Sequence, residues 1–214
     1  MPCTGPHCRL CGLPLTDPAG ESCGQCLRKP PAFQHTISPL RYEFPVDRLV
    51  QALKFRRRLA EGRVLSQLLC EYVAEQGFDL PDVLIPVPLH RLRMIRRGFN
   101  QAFELGKHAA SVLGVPLHTT GLRRRRNTAA QSGLSSMQRR RNMRGAFYWH
   151  ARDKPGNHVA LIDDVMTTGT TVTECTRVLK KAGVRRVDVW VAARSVPAVS
   201  GTSFRTRTAH CRRE

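Results

Sequence analysis

Residues 159–171 read VALIDDVMTTGTT. The apolar run Val159 to Ile162 has the composition of a short buried strand. Two adjacent carboxylates, Asp163 and Asp164, follow it, and Thr167, Thr168, Gly169, Thr170 and Thr171 then open a helix. That helix runs from Thr170 to Ala182, with Val172, Cys175, Val178, Leu179 and Ala182 on one face. Lys180 and Lys181 complement the negative end of its dipole, and Gly183 stops it. Ligands of open α/β sheets bind beyond the carboxyl ends of the strands. At that edge the threonine-rich loop offers unpaired backbone N–H groups, hydroxyls and the positive helix end. Gly169 permits the close backbone approach that a phosphate requires. Acids beside a phosphate cup suit a ribose 5-phosphate: vicinal hydroxyls donate to the carboxylates while the phosphate rests on the N–H groups. Simple helix capping would need only one Asp or Thr. Two acids and four threonines around a glycine exceed that need.

Outward from this stretch, helix and strand patterns alternate. Val46 to Phe55 and Arg63 to Gln76 have helical spacing, and Asp82 to Val87 is a short apolar strand bounded by prolines. Phe99 to Leu113 reads as a helix ended by Gly114, and Val184 to Ala193 reads as a further strand. Such alternation predicts an α/β fold, a parallel sheet flanked by helices on both faces. Composition divides the chain into 1–30, rich in Cys, Gly and Pro; a linker over 31–45; a main domain over 46–193; and a basic, flexible tail over 194–214.

Five of the eight cysteines fall within the first 26 residues. In a cytosolic protein that clustering argues for metal rather than disulfides. Cys8-x2-Cys11 and Cys23-x2-Cys26 are two knuckles, each able to place two thiolates on one ion. Together they complete the tetrahedron that Zn²⁺ prefers and leave no open position, so residues 1–30 are predicted to form a structural zinc ribbon. Cys3 could replace one ligand, stay a free thiol or bind nothing, and His7 has the same ambiguity. Cys70 and Cys175 lie on apolar helix faces as small core residues, and Cys211 is isolated.

The 214-residue chain has 35 Lys and Arg against 16 Asp and Glu, a formal net charge of +19. That imbalance points to polyanions: nucleic acid, phosphate-rich metabolites or an anionic membrane surface. Codon bias toward Arg could explain part of it. Between Gly121 and Arg152 there are nine Arg and no acid. Aromatic residues are only 6%, which limits base-stacking platforms; Phe99, Phe147, Tyr148 and Trp149 are the candidates, with core packing as their alternative role. No stretch approaches the roughly 18–20 apolar residues that span a bilayer, and the N-terminus lacks the apolar run of a secretory signal. A cytoplasmic protein is expected.

The stretch 159–171 closely resembles the thirteen-residue phosphoribosyl-diphosphate (PRPP) signature of type I phosphoribosyltransferases. Ala52 to Phe55, Ile85 to His90, Arg96 to Gln101, Arg126 to Thr128, Gln131, Gly133-Leu134, Arg139 to Asn142 and Gly145 to Phe147 resemble the corresponding segments of ComF-type competence proteins, as does the four-cysteine N-terminus. This resemblance implies a type I phosphoribosyltransferase-like domain carrying a zinc ribbon. It implies that Asp163 and Asp164 hold the ribose 2′- and 3′-hydroxyls, as the catalytic carboxylates if transfer occurs, and that Thr167 to Thr171 hold the 5′-phosphate. The turn at Pro86 and Val87, with Arg97 among Arg91, Arg93 and Arg96, would take the diphosphate and its Mg²⁺. Segment 123–144 would be a hood over the site, a solvated basic loop being the alternative. Met166 stands where purine-transferring relatives often carry an acid, which disfavours purine salvage. The ComF likeness implies work in natural competence on single-stranded DNA, with the competence helicase and other uptake proteins, at the inner membrane's cytoplasmic side. The alternative is an active Mg²⁺-dependent phosphoribosyltransferase of nucleotide metabolism.

Overall fold

The computed structural model describes residues 1, 3–126, 143–152 and 154–196. In chain order these form α1 (Gly24–Arg28), β1 (Thr36–Ile37), β2 (Leu40–Arg41), α2 (Val46–Arg56), α3 (Leu59–Glu75), β3 (Val83–Pro86), α4 (Arg91–Arg97) and α5 (Gln101–Leu113). They continue with β4 (Leu122–Arg124), β5 (Phe147–Trp149), β6 (His158–Met166), α6 (Thr170–Lys181) and β7 (Arg186–Arg194). Strands β3, β6 and β7 lie side by side and parallel, and β1 and β2 both pair with the outer edge of β7, also in parallel. β4 and β5 make a separate antiparallel hairpin.

The sheet is apolar on both faces because both are covered. Alternate residues of each strand point to opposite sides, so Ile85, Leu161, Val189 and Val191 pack against Val172, Cys175 and Leu179 of α6 and Phe147 of the hairpin. Their neighbours Leu84, Ile162, Trp190 and Ala192 pack against α2, α3 and α5 through Val50, Leu65, Leu69 and Leu105. The parallel α/β layering predicted from the sequence is therefore present.

Three segments differ from expectation. Segment 31–45, expected as a linker, carries β1 and β2: Thr36 pairs with Val189 and Leu40 with Ala193. Two-residue strands are too short to show a period, although Thr36, Ile37 and Leu40 are all buried. Helix α4 lies where no helix was read, since none of its residues is buried and it has no apolar stripe. Its ends are set locally: the His90 ring nitrogen Nδ1 accepts from the Leu92 N–H at 3.2 Å, and Gly98 closes it at φ 81°. Arg194, expected as the first tail residue, is the buried last residue of β7. The rest of the tail beyond residue 196, with Cys211, and hood residues 127–142 lie outside the described residues. Among the described residues no helix is long and apolar enough to cross a membrane.

Candidate functional site

The parallel register puts the ends of β3, β6 and β7 on one edge of the sheet, where Pro86 faces Ile162 and Met166 faces Arg194. β6 runs four residues past its apolar stretch, so Asp163 and Asp164 lie within the strand rather than after it. The Val87 N–H donates to the Ile162 carbonyl at 2.9 Å, which lays the turn after β3 beside the acid pair. Asn100 fixes that turn from the far side. Its Oδ1 caps α5 by accepting from Ala102 N–H at 3.1 Å, and its Nδ2 donates to the Val87 carbonyl at 3.0 Å.

Asp163 Oδ1 accepts from the backbone N–H of Asp164 at 2.9 Å. Burial, and then the neighbouring Asp164 charge, push the Asp163 carboxyl up to about 8, with Lys54 partly opposing them. Lys54 of α2 places Nζ 2.5 Å from Asp164 Oδ2. Burial works against the Lys54 charge, but the two acids outweigh it and its pKa is raised. Arg97 lies over the Phe55 ring at 5.7 Å. Burial lowers its pKa, against the attraction of Asp164 and Asp163. Arg124 of β4 is held down by burial and by Arg93, against Asp163. Lys54 thus pairs with Asp164 at the sheet edge, and Arg97 and Arg124 lie within the electrostatic reach of the acids.

The loop after β6 turns at a left-handed glycine into the N-terminus of α6. Gly169, at φ 70°, is the residue before the first turn of α6, a conformation costly for residues with a Cβ. Its carbonyl accepts from Thr173 N–H at 2.9 Å, and Thr168 Oγ1 and Thr170 Oγ1 lie 2.9 Å apart. Met166 is buried in the core beneath the loop. Arg194 ties the loop down from behind: its Nη1 donates to the Met166 carbonyl at 2.8 Å, to the Thr167 carbonyl and to the Ser195 carbonyl at 2.6 Å.

At the N-terminus the ligand atoms of Cys8, Cys11, Cys23 and Cys26 all lie within 4.8 Å of one another. Cys11 Sγ and Cys23 Sγ are 3.7 Å apart. Zn–S bonds of about 2.3 Å in a tetrahedron put sulfurs about 3.8 Å apart, so the four residues fit such an ion. Burial pushes the Cys11 thiol up to about 11 and raises Cys26 as well. At Cys8 burial is outweighed by backbone hydrogen bonds, which bring it down to about 7. Cys3 and His7 lie outside this group: Cys3 bridges Leu40, and the His7 ring accompanies the Gly5 carbonyl at 2.7 Å. Cys70 and Cys175 are buried.

Between the cysteine module, the β4–β5 hairpin and α6 runs a groove of about 1510 Å³ that reaches Thr168, Gly169 and Thr170. That exceeds the ~300–1,000 Å³ of usual small-molecule sites. Among the described residues, Arg28, Lys29, Arg125, Arg144, Arg177, Lys180, Lys181 and Arg194 line it, against one acid, Glu174. Glu174 is itself engaged by Gly145 N–H at 2.7 Å and Arg177 at 3.1 Å. Tyr148 is 40% exposed, whereas Trp149 stacks on His118 with ring centres 5.3 Å apart.

Asp163, Asp164, Thr167 to Thr171, Pro86, Val87 and Arg97 are thus brought to one edge. Lys54 and Arg194 were not singled out as site residues from the sequence, and Arg124 only as part of segment 123–144. Lys54 had a faint signal, a cation among the apolar positions of a helix; Arg124 and Arg194 were two among many arginines.

A family profile described as phosphoribosyl transferase domain matches residues 100–197. The DNA utilization protein YhgH of Salmonella typhimurium is 39% identical over 193 residues, covering 88% of this chain and 84% of that protein. Competence protein F of Haemophilus influenzae is 36% identical over 196 residues, covering 89% and 85%. Competence protein ComFC of Bacillus subtilis is 28% identical over 189 residues, covering 84% and 74%.

Proposed function

Because this chain belongs to the ComF family of competence and DNA utilization proteins, we propose that it binds PRPP at the β6–α6 edge and acts in natural competence, on single-stranded DNA, with a helicase and other uptake proteins. The observation that carries the ligand is the pairing of Asp163 and Asp164 with the Gly169-centred loop at the N-terminus of α6. Asp163 and Asp164 take the ribose 2′- and 3′-hydroxyls. The N–H groups and hydroxyls of Thr167 to Thr171 take the 5′-phosphate at the positive helix end. The Pro86–Val87 turn and Arg97 face the diphosphate, whose Mg²⁺ would arrive with PRPP and offset its charge. The Arg-rich segment 123–144 serves as the hood. Where catalysis occurs, these residues act by positioning and by electrostatics. The buried Met166 supplies no acid for a purine base.

The four cysteines hold Zn²⁺ as a structural ion, since four thiolates leave it no open coordination position. The basic groove carries the phosphates of a DNA strand, with Tyr148 as its exposed aromatic. The protein works in the cytoplasm, peripheral to the inner membrane through its uptake partners. Titration calorimetry with Mg²⁺–PRPP tests the ligand: wild type binds and Asp163→Asn binds at least tenfold more weakly. Absence of binding by wild type removes the PRPP assignment.

A further inference from the structure

Arg194 touches both the cysteine module and the phosphate loop. Its Nε donates to the carbonyl of Cys11 at 2.8 Å, while its Nη1 donates to the carbonyls of Met166, at 2.8 Å, and Thr167. The side chain is buried. Gly12, at φ 70°, lets the knuckle approach β1 closely: a Cβ there would stand 3.0 Å from Thr36 Cγ2 and in ordinary contact, 3.5 Å, with Arg194 Cδ. Thr36 also holds the first knuckle, its hydroxyl donating to the Leu10 carbonyl at 2.7 Å and its N–H to the Arg9 carbonyl at 2.8 Å. Three successive carbonyls of the Cys8–Cys11 knuckle are thus keyed into β1 and the end of β7.

A guanidinium is planar and presents its donors in a fixed fork, so displacing one acceptor disturbs the rest. A peptide unit is planar and trans. Holding the Met166 and Thr167 carbonyls toward Arg194 therefore turns the N–H groups of Thr167 and Thr168 to the opposite side. Those are the N–H groups that open the phosphate cup. Arg194 donates to four backbone carbonyls among the described residues, those of Cys11, Met166, Thr167 and Ser195. The guanidinium stands beside the cysteine module that would hold the metal. A zinc ion on four thiolates keeps those sulfurs anionic and fixes the knuckle backbone.

We infer that Arg194 is a positioning residue that links the zinc knuckle to the phosphate loop, so that metal loading and phosphoribosyl-ligand binding are thermodynamically coupled. This rests on the PRPP and zinc assignments above. Coupling between two sites is reciprocal, typically about 5- to 150-fold in affinity. If metal at the knuckle aims the loop, ligand on the loop must also hold the metal.

The test uses the zinc-loaded wild-type chain, with zinc partitioned to equilibrium against a colorimetric chelator of known affinity, with and without saturating Mg²⁺–PRPP. PRPP raises the zinc affinity by about fivefold or more. Asp163→Asn, at the same PRPP concentration, shows no such gain, which separates binding at the site from capture of zinc by the free diphosphate. Zinc-loaded Arg194→Gln binds PRPP at least fivefold more weakly and its zinc affinity no longer responds; if that variant fails to fold, the wild-type affinities decide alone. Calorimetric binding of PRPP by wild type with an unchanged zinc affinity overturns the coupling. No calorimetric binding at all overturns the ligand assignment first, and the coupling with it.

Discussion

Lys54 Nζ stands 2.5 Å from Asp164 Oδ2, joining the middle of α2 to the carboxyl end of β6. Asp164 is nearly buried, and Lys54 is the cation paired with it. Lys54→Met keeps the stem and removes the charge, leaving the carboxylate uncompensated. The variant is expected to lose about 2–3 kcal/mol of stability, measured by urea unfolding at neutral pH. A loss below about 0.5 kcal/mol would mean that the pair is only a surface contact.

Asp163 gives the pH dependence. Its folded pKa is raised, to about 8, because burial and Asp164 disfavour its charged form. The stability linked to the protonated form is complete below the ordinary carboxylate range, about 4, and declines as pH rises toward the folded value. Asp163→Asn removes the titrating carboxyl. Its stability relative to wild type should therefore increase between about pH 4 and pH 8, followed by thermal unfolding across that range. A difference that is flat with pH would contradict the raised value.

Cys23 tests the metal centre. Cys23→Ser removes one of four clustered thiols, and the purified variant should lose stoichiometric zinc and unfold at lower temperature. Full zinc content with an unchanged melting point would show that the ligand set is wrong.

Gly169 has the left-handed conformation that the loop requires. Gly169→Ala should cost about 1–2 kcal/mol in backbone strain and weaken PRPP binding in calorimetry. Unaltered affinity would separate this glycine from the phosphate cup.

The groove predicts a charge effect. Binding to an oligonucleotide should weaken with salt, log K falling by about 0.7 per phosphate neutralised on a single strand. Replacing both Lys180 and Lys181 with Gln should reduce the magnitude of that slope by one to two, read by fluorescence anisotropy over a salt series. An identical slope would place the strand elsewhere.

The long periodic segments were legible in the sequence because burial on a helix or strand leaves a regular spacing. α5, α6 and the apolar half of β6 are such cases, and the four cysteines announced themselves by spacing alone. What escaped was either too short or too well shared. β1 and β2 have two residues each, and α4 buries none of its side chains. Lys54 and Arg194 act through contacts distant in the chain, so little that is local marks them among the many other basic residues. Arg194 bonds to Cys11, at the opposite end of the chain. Such a partner becomes visible only when β7 is set beside the cysteine module.

The central claim is that the edge at Asp163 to Thr171 holds a phosphoribosyl group, and a crystal structure of the chain grown with Mg²⁺ and PRPP tests it most directly. The predicted density places the 5-phosphate on the N–H groups of Thr167 to Thr171 and the ribose hydroxyls on Asp163 and Asp164. Density for PRPP at any other surface, with this edge filled only by water, would contradict the account.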